Sequence, residues 1–308
     1  ALVLAANAPG FDFFLLAYSF GFGSASGAIY ILVLESAGYT TKPKRFTAIM
    51  VASFGFGGVV FGPILRMLVA ADWGLTALLV PAVSMALAAA FAFTQLQKSI
   101  PVMLEAQQHR DPTSLASSKL IVLLWMTMAF GSAAGLMTLG FATTVVESQG
   151  GSAWLSSLAL SGIALGNTCG RLTIGALPRR FPVGWLVQIA ACGSVFGLLL
   201  CVLSSSPGAT VVGMMIVATS YGIFASGIPV LTRIIFGAVR FGRVYSIVFT
   251  AWGMAGLASP WVAGILFDAS GNFTGAFMLA TGISAASLVF AILVGWQSGT
   301  FHADHSEA

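Results

Sequence analysis

Long apolar stretches separated by short polar ones are the feature that most limits how this sequence can fold. Nine stretches are about 20 residues or longer, and almost all charged residues lie between them. A segment of this length and apolarity crosses the hydrocarbon core of a bilayer as an α-helix, because a helix pairs every backbone polar group within the segment. The sequence therefore predicts an all-α transmembrane protein with nine spanning helices. They cover residues 13–34, 46–70, 73–97, 120–146, 152–177, 182–204, 208–232, 244–267 and 273–296.

The small share of charged residues excludes a water-soluble fold. Only 7% of the 308 residues are charged and 58% are hydrophobic, whereas a soluble domain carries about a quarter charged residues. The three cysteines lie inside apolar stretches without metal-ligand spacing, and the three histidines lie in polar segments near residue 109 and after residue 301. We therefore expect a lipid bilayer as the surroundings, with no metal site, no cofactor and no nucleic-acid partner.

The basic residues predict the orientation, since loops rich in Lys and Arg stay cytoplasmic. Twelve of the 13 basic residues lie near or beyond the ends of the first, third, fifth and seventh spans, on one side, and only Arg66 lies towards the other side. The pattern predicts a multi-pass protein of a cell membrane, inner or plasma, whose chain enters from outside. The polar loop 98–119 and the tail 297–308 are then both expected to be cytoplasmic.

Loop 98–119 divides the predicted spans into two groups. Residues 1–97 hold three spans and residues 120–296 hold six, which predicts two helix bundles joined by a cytoplasmic linker. The chain begins at Ala1 with an apolar string, ALVLAANAPG, that is typical of the end of a further helix rather than of a signal peptide. If a parent protein has two six-helix halves, residues 1–97 are its helices 4 to 6, and its first three helices are missing here.

Four strings resemble segments of one transporter superfamily. The most specific is FGAVRFGRVYSIVFTAWGMAGLASPWVAGILFD at 236–268, and the others are GNTCGRLTIGALPRRF at 166–181, GLMTLGFATTVV at 135–146 and KRFTAIMVASFGFGG at 44–58. With the two-bundle plan they resemble the major facilitator superfamily, in particular its oxalate/formate antiporter and monocarboxylate transporter branches. The resemblance implies a substrate path between two halves and alternating access.

Transport of a small organic anion, a carboxylate, is the function that this resemblance implies. Two alternatives stay open: a membrane-embedded enzyme or lipid-handling protein, and a non-transporting sensor with a transporter fold. The nine predicted spans contain no Asp, Glu or His. This argues against an intramembrane hydrolase, whose nucleophile needs a general base beside it. We therefore expect a transporter, an antiporter by its resemblance, and not an enzyme.

Arg171 is the first candidate for binding the anion, because apolar sequence lies on both sides of it. A charge within a span costs about 2.5 to 3.5 kcal/mol, so it normally faces a cavity or a partner. No acid in the spans pairs with it, so we expect its partner to come from outside the chain, as a carboxylate that accepts two parallel hydrogen bonds. The alternative is that its side chain extends to the cytoplasmic interface beside Arg179 and Arg180. The monocarboxylate branch, in which a matching Arg is implicated in binding, favours the substrate role.

Asn167 lies one helical turn before Arg171, so both side chains project from the same face. Monocarboxylate transporters tend to have Asp at this place. Because Asn cannot exchange a proton, the substitution puts proton coupling through this pair in doubt and makes the helix more similar to the antiporter branch. Asn167 is either a second substrate contact or an interhelical hydrogen-bonding residue.

Three aromatic residues complete the candidate substrate-binding set. Trp252 lies where antiporters of dianionic oxalate are thought to use Lys, and the span 244–267 contains no Lys or Arg. The sequence therefore favours a monoanion, or a bulkier carboxylate that stacks on Trp252. Tyr30 and Tyr221 could each donate a hydroxyl proton to a ligand. For all three aromatic residues, plain packing is the alternative.

Small residues four positions apart recur along the predicted spans. Such spacing lets helix backbones approach closely, so we expect these positions to lie at helix crossings. The pairs are Gly23 with Gly27, Gly58 with Gly62, Gly131 with Gly135, Gly166 with Gly170, and Gly193 with Gly197.

Overall fold

The structure is a computed structural model that describes residues 1–92, 118–177 and 181–299. Helices make up nearly all of these ranges, and no strand occurs within them. In chain order the α-helices are α1 (Leu2–Ala6), α2 (Phe11–Leu15), α3 (Gly23–Ser36), α4 (Pro43–Ala70), α5 (79–92), α6 (Ser118–Ser148), α7 (Ala153–Ala176), α8 (Val183–Leu203), α9 (Pro207–Ser270) and α10 (Thr274–Ser298).

Three short stretches of other helix types extend these elements. A π-helical segment, Leu16–Phe22, joins α2 to α3, and the 3₁₀ turn Ala37–Tyr39 follows α3. A second 3₁₀ turn, Gly74–Leu78, leads into α5. Each junction continues the helical path, so the predicted first and third spans are both built from several helical pieces.

Six helices in the described ranges are long and apolar enough to cross a membrane. They are Phe11–Tyr39, Gly74–Ala92, Ser118–Ser148, Val183–Leu203, Pro207–Ser270 and Thr274–Ser298. This confirms the all-helical, multi-pass class that the apolar stretches predicted. It is fewer than the nine predicted spans, in part because two of those spans fall within Pro207–Ser270. The fifth predicted span is α7, a 24-residue helix that carries Asn167 and Arg171.

The longest helical element, α9, contains two helices that meet at a kink. Residues 233–243 were predicted to connect two spans, because three arginines lie there, and within them the backbone leaves helical geometry at Gly237, with φ 73° and ψ 167°. The segment lacks Pro, Asp and Asn, so little in it terminates a helix except glycine, which adopts positive φ without a steric penalty. The two predicted spans are therefore two helical stretches that meet at Gly237.

The chain divides into two compact units. Unit 1 comprises Ala1–Thr41 and Phe56–Thr113, and unit 2 comprises Lys42–Gly55 and Ser114–Ala308. The first part of α4, residues 43–55, thus belongs with the helices that follow residue 114. The predicted linker 98–119 and tail 297–308, with His109, His302 and His305, lie almost entirely outside the described residues.

Helix α9 is the centre of unit 2, where it packs against α6, α7 and α8, while α10 packs against α6 and α8. Glycines allow these helices to approach closely. A Cβ atom added at Gly170 would overlap the carbonyl oxygen of Thr219, and one added at Gly135 would lie 2.5 Å from the Cβ of Tyr221. The later three glycine pairs therefore do lie at helix crossings, as predicted. Gly23 and Gly27 have open space around them, and the surroundings of Gly58 and Gly62 lie outside the description.

Candidate functional site

The side chain of Arg171 is enclosed by protein, with only 5% of it exposed. Its Nε donates a hydrogen bond of 2.9 Å to Oδ1 of Asn167, one turn earlier on α7. The spacing of four residues places the two side chains on one helix face, as the sequence predicted. The side chain is thus enclosed by the chain and does not extend to a hydrated interface.

A backbone group of α4 binds the other side of the guanidinium. Nη1 of Arg171 donates a hydrogen bond of 2.7 Å to the carbonyl oxygen of Val51. Gly55 lies beside this contact, since a Cβ there would be in van der Waals contact with Cζ of Arg171, at 3.4 Å. The guanidinium therefore fills the crossing between α4 and α7 and joins the two helices.

The same two helices approach closely near the start of α4. A Cβ added at Gly175 would lie 2.8 Å from the Cβ of Ala48. Nζ of Lys44 donates a hydrogen bond of 3.4 Å to the carbonyl oxygen of Phe181, which follows α7. The contact of Arg171 with Val51 thus belongs to a continuous helix interface.

The positive charge of Arg171 meets only neutral acceptors. Within the ranges that the structure describes, it forms no ion pair, and its acceptors are an amide oxygen and a backbone carbonyl. The expectation that its partner comes from outside the chain was thus incomplete, because the chain itself satisfies Nε and Nη1. Both N–H groups of Nη2 lack an acceptor among the described residues, as does the amide nitrogen of Asn167.

Two aromatic residues of α9 adjoin this pair. The ring of Tyr221 lies beside the guanidinium, with its centroid 5.9 Å from Cζ of Arg171, which is within the range of cation–π attraction. The hydroxyl of Tyr221 accepts a hydrogen bond of 2.6 Å from Nε1 of Trp252. Tyr221 precedes Gly237 and Trp252 follows it, so this bond also links the two stretches of α9.

A row of rings extends from Trp252 along α9. Phe249 stacks on Trp252, with 5.3 Å between centroids and 5° between planes. Tyr245 and Phe241 continue the row on the same helix face. Phe54 of α4 packs its ring edge-to-face with Trp252 at 6.5 Å. Sequence reasoning missed Phe54 and Phe249, because two of 24 phenylalanines in an apolar chain carry no distinguishing signal.

Four of the five predicted site residues thus form one connected set in unit 2, namely Arg171, Asn167, Tyr221 and Trp252. Tyr30 lies on α3 in unit 1, with its side chain half-buried, and stays a separate prediction. The described residues contain no group of three His, Cys, Asp or Glu side chains placed to hold a metal ion. The set combines one cation, amide and hydroxyl donors, and aromatic rings, which is a chemistry suited to an anion.

The fold that carries this site is similar to that of a solved membrane transporter. A solved structure described as "Crystal structure of a Major Facilitator Superfamily (MFS) transporter, FucP, in the outward conformation" is similar to this chain, with a TM-score of 0.63 and 16% sequence identity. The match covers 95% of this chain and 79% of that one. At this identity the likeness establishes the fold alone. No protein-family model and no curated protein matches the chain.

Proposed function

We propose that this protein is a secondary transporter that carries a small organic anion, a carboxylate, across a cell membrane by alternating access. The observation that carries the proposal is the buried guanidinium of Arg171, which has neutral hydrogen-bond partners and no ion pair among the described residues. The fold adds the mechanism, because transporters with internal repeats move substrate by rocking one bundle against the other.

The buried charge supports an anionic substrate. Neutral acceptors satisfy the geometry of N–H groups but leave the charge uncompensated, and a charge in a membrane span costs about 2.5 to 3.5 kcal/mol. A carboxylate supplies the missing negative charge. It also accepts two parallel hydrogen bonds from a guanidinium, which shortens and strengthens both.

Carboxylate binding at the guanidinium would act beside the contact between α4 and α7. Nη1 carries two N–H groups, one of which donates to the carbonyl of Val51. The other N–H of Nη1 and an N–H of Nη2 can together hold both carboxylate oxygens. A ligand that binds better to one arrangement of these two helices shifts the protein towards it, and this is how we propose that substrate binding promotes the change of access.

The charge count favours a monoanion. The stretch 244–267 of α9 contains no Lys or Arg, so this part of the helix offers no second cation to the site. A dianion bound by Arg171 alone would keep one uncompensated negative charge in a low-dielectric environment, which is strongly unfavourable. The resemblance to the antiporter branch leads us to propose exchange of one carboxylate for another.

The proposed topology has nine spans, with loop 98–119 and the C-terminal tail in the cytoplasm. Two observations support the count beyond the six helices already identified. The two stretches of α9 that meet at Gly237 are each long enough to cross a bilayer, and α4 and α7 contain 28 and 24 residues.

Exchange in proteoliposomes tests this function. The full-length protein is reconstituted with an unlabelled monocarboxylate inside, and labelled monocarboxylate, dicarboxylate and the matching neutral amide are supplied outside. We expect saturable uptake of the monocarboxylate that requires internal anion, with weaker uptake of the dianion. Equal uptake of the neutral amide, or no uptake of any anion, would contradict the proposal.

A further inference from the structure

The hydrogen bond between Trp252 and Tyr221 has only one possible direction. An indole N–H donates and cannot accept, so the Tyr221 oxygen is the acceptor at 2.6 Å. The hydroxyl proton of Tyr221 must therefore point elsewhere, and it has no acceptor within the described part of the chain. The side chain is only 3% exposed. A buried donor without an acceptor is destabilising, so we expect a ligand to supply the acceptor.

A second indole–hydroxyl pair in the same bundle is different. Nε1 of Trp125 donates to Oγ1 of Thr250 at 3.0 Å, and that hydroxyl donates in turn to the carbonyl of Ile247 at 2.7 Å. The proton of Thr250 is thus used within the chain. In the Trp125–Thr250 pair every N–H and O–H group has an acceptor, whereas in the Trp252–Tyr221 pair the hydroxyl proton of Tyr221 has none among the described residues.

The position of Tyr221 places that proton near the charge of Arg171. The centroid of its ring lies 5.9 Å from Cζ of Arg171. Gly135 brings α6 against Tyr221, where any Cβ would overlap the side chain. Contacts on both sides therefore hold the phenol ring beside the guanidinium at which we propose that the anion binds.

Other aromatic rings hold Trp252 itself. Phe249 covers one face of the indole and Phe54 meets it edge-to-face. At least one face is thus unavailable for stacking with a substrate, which was the role that the sequence favoured for Trp252. What Trp252 does contribute is its N–H, which fixes the oxygen of Tyr221 as an acceptor.

On the basis of the proposed anion transport, we infer that Trp252 is a positioning residue and Tyr221 a specificity-determining one. Trp252 occupies a lone pair of the Tyr221 hydroxyl and so directs the phenolic proton to an oxygen of the carboxylate bound at Arg171. The substrate is then held by one cation and a separate neutral donor. The affinity for a substrate then depends on an oxygen atom that accepts the Tyr221 proton, in addition to the negative charge of the substrate.

A double-mutant cycle in the full-length protein tests this inference. Tyr221→Phe removes the hydroxyl and Trp252→Phe removes the indole N–H while keeping a ring. We expect each single variant to raise the KM for monocarboxylate exchange about tenfold with little change in maximal rate, and the double variant to be no worse than Tyr221→Phe. Non-additivity is expected because the two residues act through one bond.

Two further variants separate positioning from packing. Trp125→Phe, the matched control, breaks the complete pair and is expected to leave KM unchanged. Trp252→Gln loses the ring but keeps an N–H donor, so it is expected to recover part of the affinity lost in Trp252→Phe. Each variant is compared at equal insertion and similar melting temperature.

The outcomes distinguish the inference from the function on which it rests. A KM raised about a hundredfold in the double variant would overturn the positioning role of Trp252 and leave anion transport intact. The same holds if Trp252→Gln recovers none of the affinity that Trp252→Phe loses. An unchanged KM in Tyr221→Phe would overturn the specificity role. Failure of the wild-type protein to exchange any carboxylate would overturn the proposed function and the inference together.

Discussion

Arg171 on α7 donates a hydrogen bond of 2.7 Å from Nη1 to the carbonyl oxygen of Val51 on α4. The residue that we assign to the substrate's charge therefore also joins two helices. We propose that substrate binding and this helix contact are coupled, because both use the guanidinium of Arg171. This coupling gives a physical route from recognition of an anion to movement of a helix.

Gly55 is the position at which this coupling is most easily disturbed. A Cβ at Gly55 would already lie 3.4 Å from Cζ of Arg171, so the branched side chain in Gly55→Val should displace the guanidinium. We expect at least a tenfold loss of exchange rate in proteoliposomes. Gly57→Val is the control, because a Cβ there has nothing within 4 Å. Equal effects of the two variants would show that the loss comes from β-branching in the helix.

Gly170 tests the close crossing of α7 and α9 that holds Arg171 in place. Its added Cβ would overlap the Thr219 carbonyl, which is backbone and cannot move aside as a side chain can. We expect Gly170→Ala to destabilise the protein by about 1 to 3 kcal/mol, seen as a lower melting temperature in detergent. Gly140→Ala, at an open position of α6, should melt like the wild type. An unchanged melting temperature in Gly170→Ala would contradict the crossing.

Gly237 should resist substitution for a conformational reason. Its φ of 73° with ψ of 167° disfavours any residue with a Cβ, by about 1 to 3 kcal/mol. Gly237→Ala is therefore expected to lower the melting temperature, although a Cβ at this position meets no atom within 4 Å. Gly253→Ala, on the helical part of α9 and equally uncrowded, serves as the comparison. Similar melting of both variants would indicate an unbroken helix at residue 237.

Particular residues show what the sequence could predict. Arg171 was predicted because a charge flanked by apolar sequence is rare and costly, and Asn167 because a spacing of four residues sets a shared face. Val51 could not be predicted, since a backbone carbonyl that accepts a hydrogen bond has no side-chain signature. The break within residues 233–243 was predicted from its three arginines, which indicate a hydrated end of a span, and the structure has it at Gly237.

The orientation is a separate prediction, based on the basic residues. With the three native cysteines replaced by alanine, single cysteines at Ser148 and at Ser118 place a label at the two ends of α6. A membrane-impermeant maleimide added to intact cells should react with the cysteine at 148 and not with the one at 118. The reverse pattern would contradict the orientation, since it would place the basic loops outside.

The central claim is that Arg171 holds the negative charge of the substrate, and its replacement tests this most directly. Exchange of labelled monocarboxylate is measured for the full-length protein with Arg171→Gln, Arg171→Lys and, as a control, Arg243→Gln at an exposed arginine of α9. The account predicts that Arg171→Gln inserts normally but loses saturable exchange, that Arg171→Lys keeps the charge with weakened binding, and that Arg243→Gln resembles the wild type. Normal substrate affinity in Arg171→Gln would contradict the account.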